Sequence, residues 1–348
     1  MQKPVNMPTA LNKVLAAIFM VVVSAVLILL FSHKSQNNDE YSNKAFSKDG
    51  FYFDTYISIT IYDSKENHQQ NSQDSADFES ILDECMNICQ KYQLILSCTD
   101  EDSELYKLNH SADYLDSGQM NISDELRDVI EKTVRYSEPF SERFSIFSGD
   151  LCQLWNYENK VIPTDSQIQT ALKNEHPSIT LGASAKGYIA DKLTEYLKSQ
   201  GINEAIIDLG GNIVALGDKY DNSMYKIGIK KPFSDSSEPI AVCKVAYKSV
   251  VTSGVYERYF EQDGKIYHHI IDMSTGYPAD NGILSATIIC DSSLMADCYS
   301  TGCVLFPVDF VLDLINKTSD VECILVDENY NIILSDGLTY DGDYIVLK

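Results

Sequence analysis

The stretch from Val251 to Leu305 constrains this chain more than any other part of it. It holds two clusters of chemically able side chains. The first, His268-His269-Ile270-Ile271-Asp272-Met273-Ser274-Thr275-Gly276-Tyr277-Pro278, sets histidine, carboxylate and hydroxyl groups against a Gly and a Pro that favour a turn. The second, Ala296-Asp297-Cys298-Tyr299-Ser300-Thr301, puts a carboxylate and a hydroxyl four residues apart. If that segment is helical, both point to one face. Oxygen ligands beside a helix start suit Mg²⁺ and a phosphate together. A plainer reading of either cluster alone is a β-turn or an ordinary capped helix; it explains the pair, in this order and spacing, far less well.

The first cluster resembles the His-Ile-Ile-Asp-Pro-x-Thr-Gly-x-Pro signature of the ApbE family of FAD:protein FMN transferases, with Met273 in place of its first Pro. The second resembles that family's Ala-Asp-x-x-x-Thr metal motif. Further segments agree. Phe53-Asp54-Thr55 is similar to the family's opening Met-Gly-Thr, and Asp102-Ser103-Glu104-Leu105 to its Asp-Ser-Glu-Leu loop, where Ser103 also reads as a helix cap. Arg143-Phe144-Ser145 leads to Gly149 and Leu154-Trp155 as in Phe-Asp-x-Thr-Val-Gly-x-Leu-x-x-Leu-Trp, but Ser145 replaces the Asp. Ile179 to Asp191 resembles Asp-Leu-Gly-Gly-Ile-Ala-Lys-Gly-Tyr-Ala-x-Asp, with Thr180 replacing the first Asp. Gly210-Gly211-Asn212, and Thr252-Ser253-Gly254 before Tyr256-Glu257-Arg258, match two more motifs.

The resemblance spans about residues 50–348 and implies an α+β fold, mixed sheets with packed helices in one catalytic domain. It implies that FMN is transferred from FAD to a Thr or Ser hydroxyl of an exported flavoprotein, with AMP leaving and Mg²⁺ required. By position, Phe53, Arg143, Phe144, Ser145, Thr180, Lys186 and Ile271 would contact FAD, although strand packing explains Phe53 equally well. Asp297, Thr301 and the Ala183 carbonyl would hold the metal. His269 suits proton transfer because imidazole titrates near neutrality. Asp272, three residues on, would orient His269 or assist the metal, and becomes the base if His269 is structural. Strand alternation turns His268 to the other face, as a surface or packing residue. Three alternatives stand beside the transferase: a FAD pyrophosphatase releasing FMN and AMP, a non-catalytic flavin-binding protein, and a structural surface protein.

The net charge of −24 argues against nucleic acid as a partner. It would also repel a bare pyrophosphate, so a local cation is needed to hold one. The nine cysteines contain no C-x-x-C pair, and most lie among apolar neighbours as small core residues. Val14 to Phe31 runs eighteen residues without a charge, after Lys3 and Lys13. Residues 1–32 therefore read as an uncleaved membrane anchor, with a cleaved signal peptide as the alternative. Residues 33–49 read as a polar tether and 50–348 as the catalytic domain, outside the cytoplasm of a single-pass membrane protein. Apolar spacing predicts a strand over Phe51–Asp63, helices over Phe78–Leu96 and Ser123–Tyr136, and a helix from the Lys186 region to about Gln200, closed by Gly201. Strands follow at Ala205–Leu209, Tyr225–Ile229, Val242–Tyr247 and Ser249–Val251, then a helix near Phe310–Ile315 and closing strands.

Overall fold

A computed structural model describes residues 44–62, 75–219 and 221–348. Period-two alternation in its strands sorts apolar side chains onto the two faces of one eight-stranded sheet. The strands lie in the order Ala45–Tyr52, Thr55–Tyr62, Ala205–Asp208, Asn212–Leu216, Lys248–Gly254, Ile283–Cys290, Glu322–Asp327 and Ile332–Leu334, each antiparallel to its neighbour. Ile59, Ile207, Val251, Ile288 and Leu325 face the helices Ser75–Leu96, Asp124–Ser137, Ala185–Ser199 and Ser293–Val304. The neighbouring residues Val250, Ile289 and Ile324 point the other way, onto Tyr225, Ile227, Cys243 and Ile345 of a second sheet. That sheet orders Leu338–Asp341, Tyr344–Leu347, Pro239–Val245 and Tyr225–Lys230, and contains one parallel pairing. The result is a layer of helices, a large sheet and a smaller sheet within the compact unit Asn43–Lys348, the expected α+β architecture.

A smaller core of Leu151, Trp155, Ile168 and Ile271 lies under the His268–Pro278 segment. The Trp155 indole donates to Gly276 O at 3.1 Å, which pins the turn. Ser103 caps the helix Glu104–Asn109 by accepting from Tyr106 N, and Ser123 caps Asp124–Ser137 through Leu126 N.

The predicted Phe51–Asp63 strand is instead a hairpin. Ala45–Tyr52 and Thr55–Tyr62 pair around Phe53 and Asp54, at φ 52° and 57°. Such a turn is normally signalled by Gly or Asn, and Phe53 gives no such signal. The domain therefore begins at Ala45, inside the segment expected to be tether, because pairing with Thr55–Tyr62 orders it. Directly before the Ala185–Ser199 helix, residues 182–184 form a turn. That helix ends at Ser199, and Gly201 at φ 75° closes it as a C-terminal glycine should. The apolar Val14–Phe31 segment lies outside the described residues. Among the described residues, no helix is long and apolar enough to cross a membrane.

Candidate active site

Two helices build the centre of the site, and the first fixes the start of the second. Asp191, on Ala185–Ser199, accepts from Ser293 N at 2.7 Å, Leu294 N at 3.1 Å and Ser292 Oγ at 2.9 Å. A carboxylate there satisfies orphan amides and offsets the positive end of the helix dipole. One turn back, Gly187 lets the helices touch. A Cβ at that position would lie 2.7 Å from Leu294 Cα and 2.8 Å from Asp297 Cβ, and closer still to Ser293 O. The close approach brings Gly187 N to Asp297 Oδ2 at 2.8 Å. Asp297 is buried, and burial raises its carboxyl above the ordinary range while the Lys186 charge opposes that shift.

Thr301 follows one turn along the same face, its Oγ1 3.1 Å from Ser253 Oγ, which is 2.8 Å from Ser300 Oγ. Ala183 sits in the turn just before Ser184, the residue that precedes the Ala185–Ser199 helix. These donors fit a hard divalent cation: Gly187 occupies only one oxygen of the Asp297 carboxylate, and a hydroxyl and a turn carbonyl complete an all-oxygen set. Among the described residues no trio of His, Cys, Asp and Glu is gathered for a metal. Lys186 donates to Gly210 O at 3.4 Å, and its charge faces Asp297, Asp208 and Glu257.

The strands Tyr259–Gln262 and Lys265–His268 form a hairpin, and His269 N donates to Arg258 O at 3.1 Å, extending the ladder by one rung. His268 is a packing residue. Its Nδ1 accepts from Ile270 N at 3.3 Å, which makes Nε2 the donor to Ala279 O at 2.8 Å, and burial lowers the imidazole to about 4. His269 differs: its Nδ1 is buried with no hydrogen-bond partner. Burial pushes its imidazole down to about 3, with His268 and Arg258 adding to the effect. The ring is neutral at physiological pH, and the protein leaves its buried Nδ1 without a partner.

Asp272 does not orient His269. Its Oδ1 accepts from Ser274 N at 2.8 Å and Ser274 Oγ at 2.6 Å, and its Oδ2 lies 3.5 Å from Arg143 Nη1. No hydrogen bond joins it to His269 among the described residues, because the turn bends the carboxylate back onto its own loop. Arg143, expected to contact FAD, is occupied by the protein. It donates to Asn281 Oδ1 at 3.1 Å and Leu305 O at 3.0 Å, and lies 4.8 Å over the Phe306 ring. Ile271 is buried in the Trp155 core and Phe144 in the main one. Ser145 Oγ accepts from Phe147 N at 3.1 Å, while Thr180 N donates to Ile146 O at 2.8 Å, so these two segments adjoin. Phe53 is half-buried at the hairpin tip, its N donating to Gln93 Oε1 at 3.2 Å.

The structure thus brings Lys186, Asp297 and Thr301 onto two helices in contact, with Ala183 in the turn that leads into the first. It turns Asp272, Arg143 and Ile271 to positioning work. The parts played by Asp191 and Gly187 were missed, since capping between helices has no local sequence pattern. Arg258 was seen only as part of a matching motif and was given no role, although its place opposite His269 follows once the hairpin register is known.

Residues 53–325 match the ApbE family. A protein of Klebsiella pneumoniae (strain 342) named FAD:protein FMN transferase is 32% identical over 278 residues, covering 74% of this chain and 85% of that protein. One of the same name from Treponema pallidum (strain Nichols) is 29% identical over 298 residues, covering 76% and 82%. The crystal structure of the ApbE protein from Thermotoga maritima superposes with a TM-score of 0.71 at 28% identity, covering 84% of this chain and 97% of that one. The flavin transferase ApbE from Vibrio cholerae shares the fold at a TM-score of 0.72 and 22% identity, over 84% and 97%. With most of its length matched to the family, this chain belongs to the ApbE family.

Proposed function

We propose that this chain is a FAD:protein FMN transferase. The observation that carries the reading is the Asp191–Gly187–Asp297 lock, which sets the oxygen donors Asp297 and Thr301 beside Lys186. Relatives of that name support it. In the reaction, a Thr or Ser hydroxyl of an acceptor protein attacks the FMN phosphorus of FAD. A P–O bond forms to the hydroxyl oxygen, the bond to the AMP phosphate oxygen breaks, and the hydroxyl proton must leave. His269 takes that proton at Nδ1, the ring nitrogen that the protein leaves without a partner. The neutral ring is a weak base beside cations, and an arriving diphosphate, being anionic, raises its basicity. Mg²⁺, held by Asp297, Thr301 and the Ala183 carbonyl, would neutralise charge on the diphosphate oxygens. Lys186 adds positive charge to the same centre, and the Gly187 amide holds Asp297 in place.

On the sequence alone, Val14–Phe31 serves as a membrane anchor and the acceptor is an exported flavoprotein. The test incubates the full-length chain with FAD and Mg²⁺, with and without a flavoprotein acceptor, and follows AMP and acceptor mass. An acceptor heavier by one FMN supports the transferase. AMP and free FMN formed equally well without acceptor would replace it with a FAD pyrophosphatase, and no AMP in either case would overturn both.

A further inference from the structure

The Arg258 side chain is the cation of this site that the protein itself leaves without a partner. Antiparallel pairing sets Tyr259 opposite His268 and Phe260 opposite Tyr267, and the His269 N to Arg258 O bond sets Arg258 opposite His269. Residues directly opposite across an antiparallel ladder project from the same face, with Cβ atoms roughly 5 Å apart. Alternation puts Arg258 and His269 on the same face as Phe260 and Tyr267. That face is turned to the protein: the Phe260 and Tyr267 rings stack at 5.2 Å, Tyr267 stacks on Trp155 at 5.8 Å, and Tyr157 packs on Phe260 at 6.2 Å.

Arg258 therefore projects along the face that buries His269, yet its side chain stays accessible. Among the described residues its guanidinium takes part in no hydrogen bond, ion pair or ring contact. Its charge reaches Cys98, Tyr157 and His269, from three separate segments, and the adjacent Glu257 carboxyl, which shares the Lys186 charge as well. An unpaired arginine on an open surface needs no explanation, but this one stands opposite a histidine whose buried ring nitrogen also lacks a partner. The other cation of the site, Lys186, donates to Gly210 O and faces three carboxylates.

A planar fork of donors with nothing to bind suits a phosphate better than any other group of this reaction. We propose that Arg258 binds an anionic oxygen of the substrate's diphosphate directly, beside His269. This inference rests on the transferase reading and names a binding residue for it. Arg258 then holds the phosphate within reach of the ring that takes the proton. Filling its fork with an anion also offsets the positive charge that adds to the effect of burial on His269.

Equilibrium dialysis of the full-length chain with FAD, and in parallel with riboflavin, which lacks phosphate, tests it. The wild type is expected to bind FAD more tightly than riboflavin. Arg258→Gln should weaken FAD binding about 10- to 100-fold, as loss of a charge-assisted hydrogen bond does. It should leave riboflavin binding unchanged, and Arg258→Lys should recover part of the loss. An Arg258→Gln chain that keeps the wild-type preference for FAD overturns the proposal. Equal weakening of both ligands, or an Arg258→Lys chain as weak as Arg258→Gln, also overturns it, because a structural role then suffices. Should Arg258→Gln lose its melting transition, Arg258→Lys decides alone: FAD weakened with riboflavin unchanged supports direct phosphate binding, and any other result overturns it. A wild type that binds neither flavin overturns the transferase reading itself.

Discussion

The Gly187 amide donates to Asp297 Oδ2 at 2.8 Å, and only a residue without a Cβ permits that approach. The bond joins the turn that carries Lys186 to the helix that carries Asp297 and Thr301. Gly187→Ala would drive a methyl group into the backbone of Ser293 and Leu294, which cannot swing aside as a side-chain tip can. The expected cost is about 3 kcal/mol, typical of overpacking a tight core contact. Calorimetry should show a lower melting temperature, and activity should fall below what the loss of folded protein explains.

Asp191 is the matching lock at the helix start. Asp191→Ala removes the acceptor for Ser293 N, Leu294 N and Ser292 Oγ together. Loss of a helix cap costs roughly 1–2 kcal/mol. Urea denaturation should show a lower midpoint with an unchanged slope. An unchanged midpoint would mean that Ser292, which also caps this helix through Met295 N, is sufficient.

Much of this was legible in the sequence, for physical reasons. Helical spacing announced the Ser75–Leu96 and Asp124–Ser137 helices, because each buries one apolar stripe under the sheet. Asp297 and Thr301 share a helix face, as their four-residue spacing requires. The Phe53–Asp54 turn was not legible, because Phe53 is not a usual left-handed turn former and Asp54 alone does not announce a two-residue turn. Nor was the work of Asp272 and Arg143. A motif places a residue in a loop, but the loop's own hydrogen bonds decide which way the carboxylate and guanidinium face.

Acid should destabilise the fold through its two adjacent histidines. Burial lowers His268 to about 4 and His269 to about 3, against about 6.5 in an unfolded chain. With folded values below the unfolded one, their contribution is present above pH ~6.5 and is lost as pH falls towards the folded values. Denaturation of wild type and His269→Gln between pH 7 and pH 4 should show a pH slope smaller by one proton in the variant. That is about 1.4 kcal/mol per pH unit where His269 would be protonated only when unfolded. Parallel curves would show that His269 is not held neutral.

Arg143→Lys separates positioning from FAD contact. A lysine cannot reproduce the paired bonds to Asn281 Oδ1 and Leu305 O or the packing on Phe306. We expect a loss of about 2 kcal/mol in stability, two hydrogen bonds' worth, with FAD binding by the folded fraction unchanged. Unchanged stability with weakened FAD binding would return Arg143 to the ligand.

The most direct test of the whole account is the rate of FMN transfer to an acceptor by Asp297→Asn against wild type, with AMP followed in the same reaction. Asn keeps an oxygen for the Gly187 amide, so the helices should stay locked and the melting temperature close to that of wild type. It removes the charged oxygen that would hold the metal. The account predicts transfer and AMP release falling together by at least about 100-fold, as loss of several kcal/mol of transition-state stabilisation gives. A folded Asp297→Asn chain that still transfers FMN at the wild-type rate would contradict it.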